Sequence, residues 1–165
     1  MTGTKTRLYF WGGILSNWAT IPGGIKITKN NLIFSTSEQL FMWFKAKHFN
    51  DLSTMILIER SQTPKEAKKL GRRVKGFSEE KWEKVREGYM LEALKQKALV
   101  YPEFKDIVMK ETREFVEASP YDRIWGIGVE EEEAARKDDP KTWNGLNLLG
   151  KCLGELRIWL KENEN

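Results

Sequence analysis

Val116-Glu117-Ala118-Ser119-Pro120-Tyr121-Asp122-Arg123-Ile124-Trp125-Gly126-Ile127-Gly128 puts two carboxylates, a proline, a tryptophan and two glycines into one short stretch. Glu114 to Ala118 alternates in polarity, as a half-buried strand does. The residue before a proline avoids helical backbone, so Ser119-Pro120 ends that strand and opens a turn. Such a turn can aim Glu117 and Asp122 into one pocket, with Trp125 as a flat wall. Gly126 and Gly128 would let backbone approach a ligand closely. The plainer reading is a surface loop with a capping Asp122 and a buried Trp125.

Working outward, Leu8-Tyr9-Phe10-Trp11 is a short apolar run stopped by Gly12-Gly13, and it reads as a strand. Ile25 to Thr28 and Asn31 to Phe34 flank Lys29-Asn30 and predict a β-hairpin. Glu38 to about Phe49 has helical spacing and many aromatic rings. Ile56 to Arg60 fits helix or strand. Thr63-Pro64-Lys65-Glu66 marks a helix start, with Thr63 as cap, Pro64 in the first turn and Glu66 closing a capping box. Gly71 ends that helix.

Ser78-Glu79-Glu80 opens a longer helix, along which Trp82, Arg86, Met90, Leu94 and Lys97 keep helical spacing until Pro102. A shorter helix follows to about Lys110. Glu130 to Lys137 is a charge run, expected as a solvated loop or short exposed helix. Asn144-Gly145 turns into a last helix with the stripe Leu146, Leu149, Leu153, Leu156 and Leu160. The expectation is an α+β fold of one domain over residues 1–165, predominantly helical with a few short strands.

Length and composition bound the function. A chain of 165 residues can bury a real core. A formal charge of +4 permits an anionic ligand without demanding nucleic acid. One cysteine, Cys152, excludes an intrachain disulfide framework, and with the one histidine, His48, argues against a structural zinc site. No signal-type or membrane-spanning run is visible, so the expectation is a cytoplasmic protein with no membrane partner. No cofactor and no metal are implied.

Glu38 opens an otherwise apolar helix and could be desolvated beside Phe34, Phe41 and Met42, the condition that favours a protonated general acid. Its spacing from Ser35 also allows a plain capping box. Lys45 shares a helical face with Glu38 and could bind phosphate or extend to solvent. Gly71-Arg72-Arg73-Val74-Lys75 is a basic cluster at a helix end, partly an ordinary complement to the helix dipole and partly suited to phosphate. Asn147, Gly150 and Gly154 thin one side of the last helix, for a ligand or for tight packing. Among seven tryptophans, most should be core. Trp18 and Trp125 sit in turn-like segments and are the candidates for stacking on a base.

These islands together resemble the NADAR, or YbiA-like, family. They are Leu15-Ser16-Asn17-Trp18, Ser37-Glu38-Gln39, Lys45-Ala46, Phe49-Asn50-Asp51, Leu70-Gly71-Arg72, Trp82, the Val116 to Gly128 stretch, and Trp143 to Gly150. They run in family order from about Phe10 to Arg157. The resemblance implies N-glycosidase activity and a pocket for an ADP-ribose or ribose-phosphate compound. The substrates it implies are early riboflavin-pathway intermediates or ADP-ribosylated guanine in DNA, both with a ribose C1 bonded to nitrogen. It also allows an ADP-ribose reader without turnover, and an antitoxin-type pairing with a DNA ADP-ribosyltransferase.

Carried over by position, Glu38 corresponds to the family's helix-opening glutamate, and Arg72, Trp82, Glu117, Asp122, Trp125 and Asn147 fall on other motif positions. Cleaving a ribose C1–N bond asks for a carboxylate near C1 and a proton donor, and Glu38 and Asp122 are the expected catalytic pair. The expected substrate-binding residues are Asn17, Trp18, Lys45, Arg72, Trp82, Glu117, Ser119, Trp125, Gly126 and Asn147. Riboflavin-type members commonly show His after the helix-opening Glu. Gln39 here looks more like the ADP-ribose-handling branch, which favours ADP-ribosylated guanine. A sequence-specific DNA reader is disfavoured by the modest charge and by the lack of a dense basic stripe along a helix.

Overall fold

The computed structural model describes residues 1–27, 29 and 31–164. The fold is α+β, mostly helical with short strands. The chain divides into two units, Asn17–Pro102 and a unit made of Met1–Ser16 with Glu103–Asn165. No helix among the described residues is long and apolar enough to cross a membrane.

In the Asn17–Pro102 unit, β1 (Ile25–Ile27) and β2 (Leu32–Phe34) form the predicted antiparallel hairpin, with Ile25 opposite Phe34. Of the residues assigned to that hairpin, Thr28 and Asn30 lie outside the described residues. Four helices follow: α1 (Ser37–His48), α2 (Leu52–Arg60), α3 (Pro64–Gly71) and α4 (Glu79–Val100). α1 is the hub, packing on α2, α3, α4 and β2. That position explains its composition, since Ser37 to Trp43 is one continuous buried run.

The ambiguous Ile56–Arg60 segment is helical because α2 starts earlier. Asp51 caps it, accepting the Thr54 amide at 3.1 Å. Thr63 caps α3 as predicted, accepting the Glu66 amide at 3.1 Å, while Glu66 reaches back to the Gln62 amide at 2.9 Å. Gly71 is the last residue of α3, followed by Arg72 in right-handed helical backbone, so no left-handed cap is present there. A side chain at Gly71 would instead collide with the Met42 sulfur, so the glycine lets α3 close on α1.

In the other unit, β3 (Thr2–Gly3), β4 (Arg7–Phe10) and β5 (Glu114–Glu117) form one sheet with β4 central. β4 and β5 pair in parallel, with Leu8 opposite Phe115 and Phe10 opposite Glu117. Three helices belong here: α5 (Pro102–Lys110), α6 (Glu131–Lys137) and α7 (Leu148–Glu162), with a 3-10 turn at Pro140–Thr142. α7 packs on β5 and α6 on β3 and β4. The charge run is therefore helical and not wholly solvated. Ala134 of α6 joins Tyr9, Val116, Ala118 and Ile127 in one buried cluster.

The stripe on α7 also needs correcting. Leu146 precedes the helix and is 51% exposed, while Leu148, Leu149, Cys152, Leu153, Leu156 and Leu160 are buried. A side chain at Gly150 would run into the Phe115 carbonyl, so close packing is its use. At Gly154 an added Cβ would meet no described atom within 4 Å, and tight packing does not explain it.

Candidate functional site

The Asn17–Pro102 unit gathers Asn17, Trp18, Glu38, Lys45, Arg72 and Trp82. Three adjacent polar residues, Ser37, Glu38 and Gln39, are buried at the start of α1. Burying a polar group is costly unless it is bonded, and two of the three have evident structural duties. Ser37 Oγ donates to Asn17 Oδ1 at 2.8 Å. Gln39 accepts the Ser35 amide at 2.9 Å and donates to the Ile58 carbonyl at 2.9 Å.

Thr36 is the cap of α1, accepting the Gln39 amide at 3.1 Å. The capping pair is thus Thr36 with Gln39, not Ser35 with Glu38, and the capping explanation for Glu38 falls. Gln39 is likewise committed inside the fold, so its identity reports on packing between α1 and α2 more than on a ligand.

Glu38 is only 7% exposed. Its backbone N–H donates to the Asn17 carbonyl at 3.0 Å, which fixes where the carboxylate starts. Lys45, two turns along, feels the charges of Glu38, Glu79 and Arg72. Burial lowers the Lys45 pKa from its ordinary value; Glu79 and Glu38 oppose that, and Arg72 adds to it. The Lys45 ammonium lies 4.5 Å from the Phe77 ring centre and 5.8 Å from that of Trp82. A carboxylate, two cations and aromatic walls are therefore collected on α1, the end of α3 and the start of α4.

Two predicted ligand-binding residues have structural duties here. Asn17 is buried, with Oδ1 on Ser37 and Nδ2 3.2 Å from the Met90 sulfur, so it positions the first turn of α1. Trp82 is buried in an aromatic cluster, stacked on Tyr89 at 5.8 Å and against Phe41 at 5.5 Å. It holds Lys45 in place. Trp18 is 44% exposed, as a stacking surface must be, with the Lys68 ammonium 6.0 Å from its ring centre.

The other unit gathers Glu117, Ser119, Asp122, Trp125, Gly126 and Asn147. Buried Ser119 Oγ accepts the Asp122 amide at 3.1 Å, and Asp122 Oδ1 accepts the Ile124 and Trp125 amides at 2.9 and 2.8 Å. The predicted turn is real, and Ser119 and Asp122 build it. An added Cβ at Gly126 would lie 2.9 Å from the Asp122 carbonyl oxygen and 3.0 Å from that of Glu117. The glycine admits the protein's own backbone at that point. Asn147 braces β5 from both ends of its amide: Oδ1 accepts the Glu117 N–H at 3.0 Å and Nδ2 donates to the Phe115 carbonyl at 2.9 Å. Glu117 and Trp125 are half-buried beside this frame.

Sequence reasoning passed over Asp51, named only as part of a motif. Its buried carboxylate also takes the Lys75 amide at 2.8 Å and Thr54 Oγ1 at 2.6 Å, tying the basic turn after α3 to the start of α2. The Ser53-Thr54 pair after an Asp was the available signal for a cap. The reading also missed Trp11 as a surface residue. It is 54% exposed and pairs with Tyr121, 82% exposed, at 5.8 Å between ring centres.

Folding accounts for Ser37, Gln39 and Asn17; Glu38 adds a buried carboxylate whose charge reaches Lys45. Buried charges of that kind concentrate where chemistry is done, so an α+β enzyme is the class to which the site points. The chain belongs to the NADAR family: the NADAR domain matches residues 9–161. An N-glycosidase of Acanthamoeba polyphaga mimivirus is 34% identical over 87% of this chain and 85% of its own length. An N-glycosidase of Nostoc punctiforme is 31% identical over 88% and 83%. With these relatives, the chain falls in the N-glycosidase class of the family. The riboflavin biosynthesis protein PYRR of Zea mays is 36% identical over 88% of this chain but only 23% of its own length. The NMR structure of the Escherichia coli protein YbiA superposes with a TM-score of 0.69, covering 99% of this chain and 91% of that one at 24% identity. That likeness concerns the fold.

Proposed function

We propose that this enzyme hydrolyses the bond between ribose C1 and a base nitrogen, removing ADP-ribose from guanine in DNA. The observation that carries the reading is buried Glu38 within the electrostatic reach of Lys45, which the charge of Arg72 also reaches. Cleavage of a ribosyl C1–N bond passes through an oxocarbenium-like state. A carboxylate preorganised out of water stabilises that cation. Glu38 takes this role, and water is the nucleophile. A water oxygen bonds to C1, the C1–N pair leaves with nitrogen, and a proton from that water ends on the base.

Lys45 and Arg72 hold phosphate, as a compact point charge and as a two-point donor respectively. Two adjacent cations suit the pyrophosphate of ADP-ribose. Trp18 offers an open ring face for a base. Asp122, expected as the second catalytic acid, is read here as a positioning residue that shapes the loop carrying Trp125. Glu117, Ser119 and Asn147 support that loop and the end of β5.

The second reading, hydrolysis of a ribosylamino-pyrimidine phosphate, is favoured by the maize relative's name. Mass spectrometry of products decides between them. The assay offers an oligonucleotide carrying ADP-ribosyl-guanine beside the pyrimidine phosphate. Free ADP-ribose with restored guanine is expected. Ribose 5-phosphate from the pyrimidine alone would transfer the assignment to metabolite hydrolysis. ADP-ribose bound without any product would leave a reader.

A further inference from the structure

From Thr63 to Lys75 the chain carries Lys65, Lys68, Lys69, Arg72, Arg73 and Lys75 against one acid, Glu66. Glu66 is occupied at the cap of α3. Three other helices each pair a cation with an acid one turn away: Lys84 with Glu80, Lys110 with Asp106, and Lys137 with Glu133. α3 differs. Among the described residues, no ion pair is made by Lys65, Lys69, Arg72, Arg73 or Lys75, and all five are exposed. Lys65, Lys68, Lys69 and Arg72 stand at helical spacings of three and four and so share one face. The stripe is short, running from Lys65 in the first turn of α3 to Arg72 at its end, and Arg73 and Lys75 continue it into the turn beyond.

Helix-dipole complementarity accounts for cations in the last turn alone. It does not explain Lys65 in the first turn or Arg73 and Lys75 beyond the helix. Nor is the turn a loose tail. Val74 is buried and the Lys75 amide is held by Asp51. The same stretch carries Arg72, whose charge reaches Lys45 on α1, so the basic surface starts at the candidate site. Trp18 lies at its edge beneath Lys68 with an exposed ring.

We infer that this face of α3 and the turn after it bind the phosphodiester backbone of a nucleic-acid strand, with Trp18 stacking on one of its bases. The inference rests on the proposed substrate and extends it from a modified base to the polymer around it. Lys65 to Arg72 spans about 10 Å along the helix axis, or about three phosphates of one strand. An aromatic face beside a cationic groove is the usual arrangement for sequence-tolerant single-strand binding. The contact reads charge and shape, not sequence.

The test uses the full chain and a triple variant, Lys65→Gln with Lys69→Gln and Arg73→Gln, which leaves Lys45, Lys68 and Arg72 in place. Binding of a labelled, unmodified single-stranded 12-mer is followed by anisotropy across a salt series. The triple variant is expected to lose about tenfold or more in affinity at low salt, and its log–log salt slope to flatten by about 2. Turnover of ADP-ribosyl-guanosine, which has no flanking strand, is expected to stay at the wild-type rate.

Unchanged affinity and slope in the variant, or no binding by the wild type, would overturn the inference. Equal loss of turnover on ADP-ribosyl-guanosine would overturn it too, by placing these cations in the small-ligand site. If the modified strand is not hydrolysed while the unmodified strand binds with the expected slope, the surface stands and the assigned substrate falls.

Discussion

Asp122 Oδ1 accepts the backbone N–H of Trp125 at 2.8 Å. A carboxylate set to a turn in this way works through an acceptor atom, which asparagine also has. Asp122→Asn should therefore keep kcat/KM within a few-fold of wild type. Asp122→Ala should lose the turn, with about 1–2 kcal/mol of stability and most turnover. Steady-state kinetics of the pair check this. Equal collapse of both variants, with the fold intact, would return Asp122 to the chemistry as a charged group.

Asp51 holds two segments through one buried carboxylate. The Lys75 amide, with Thr54 and Ser53 behind it, keeps its pKa well below the usual carboxylate range. A depressed carboxylate contributes stability above its unfolded pKa of about 3.9, and that contribution is lost as pH falls toward the folded value. Asp51→Ala should cost about 1–3 kcal/mol at neutral pH. It should also remove part of the acid-unfolding slope below pH ~4. Thermal melts from pH 7 down to 2 measure both; a variant melting like wild type at pH 7 would refute the staple.

Lys97 is fully buried on α4, and burial lowers its pKa to about 7. Its folded value lies below the unfolded value of about 10.4, so the unfolded chain binds more protons between the two. Stability should rise as pH climbs from about 7 toward 10. Lys97→Met should flatten that rise, because the group that titrates is gone. A pH-independent urea midpoint in the wild type would contradict the assignment.

Lys45 must be charged to hold phosphate, and burial lowers its pKa. KM for a phosphorylated substrate should then rise with pH below the value at which an ordinary lysine, near 10.4, would lose its proton. Lys45→Arg, which does not titrate in this range, should abolish that rise even if its KM is higher throughout. A KM–pH profile shared by wild type and Lys45→Arg would remove Lys45 from phosphate binding.

Local chemistry made much of this legible in the sequence. Thr63, Pro64 and Glu66 announced α3 because capping is settled within four residues, and Ser119-Pro120 announced the end of β5. What was missed depends on distant partners. β3 is two residues long and exists by pairing with Leu8 and Tyr9; the parallel register of β4 on β5 joins segments a hundred residues apart. The cap of α1 was misassigned by one residue because Ser35 and Thr36 are both competent acceptors, and only the backbone decides between them. At the site, Glu38 was legible as a charge on an apolar helix. Asn17 and Asn147 are expected to face a ligand, yet their amides bond mainly within the fold.

The most direct test of the account is Glu38→Gln, which keeps shape and hydrogen bonding but removes the charge. ADP-ribose release from the modified oligonucleotide is timed under single-turnover conditions, with ADP-ribose affinity and the melting temperature measured beside it. The expected rate is lower by roughly 10²–10³-fold, with affinity and melting temperature near wild type. Single-turnover release within a few-fold of wild type would contradict it and remove Glu38 from the reaction.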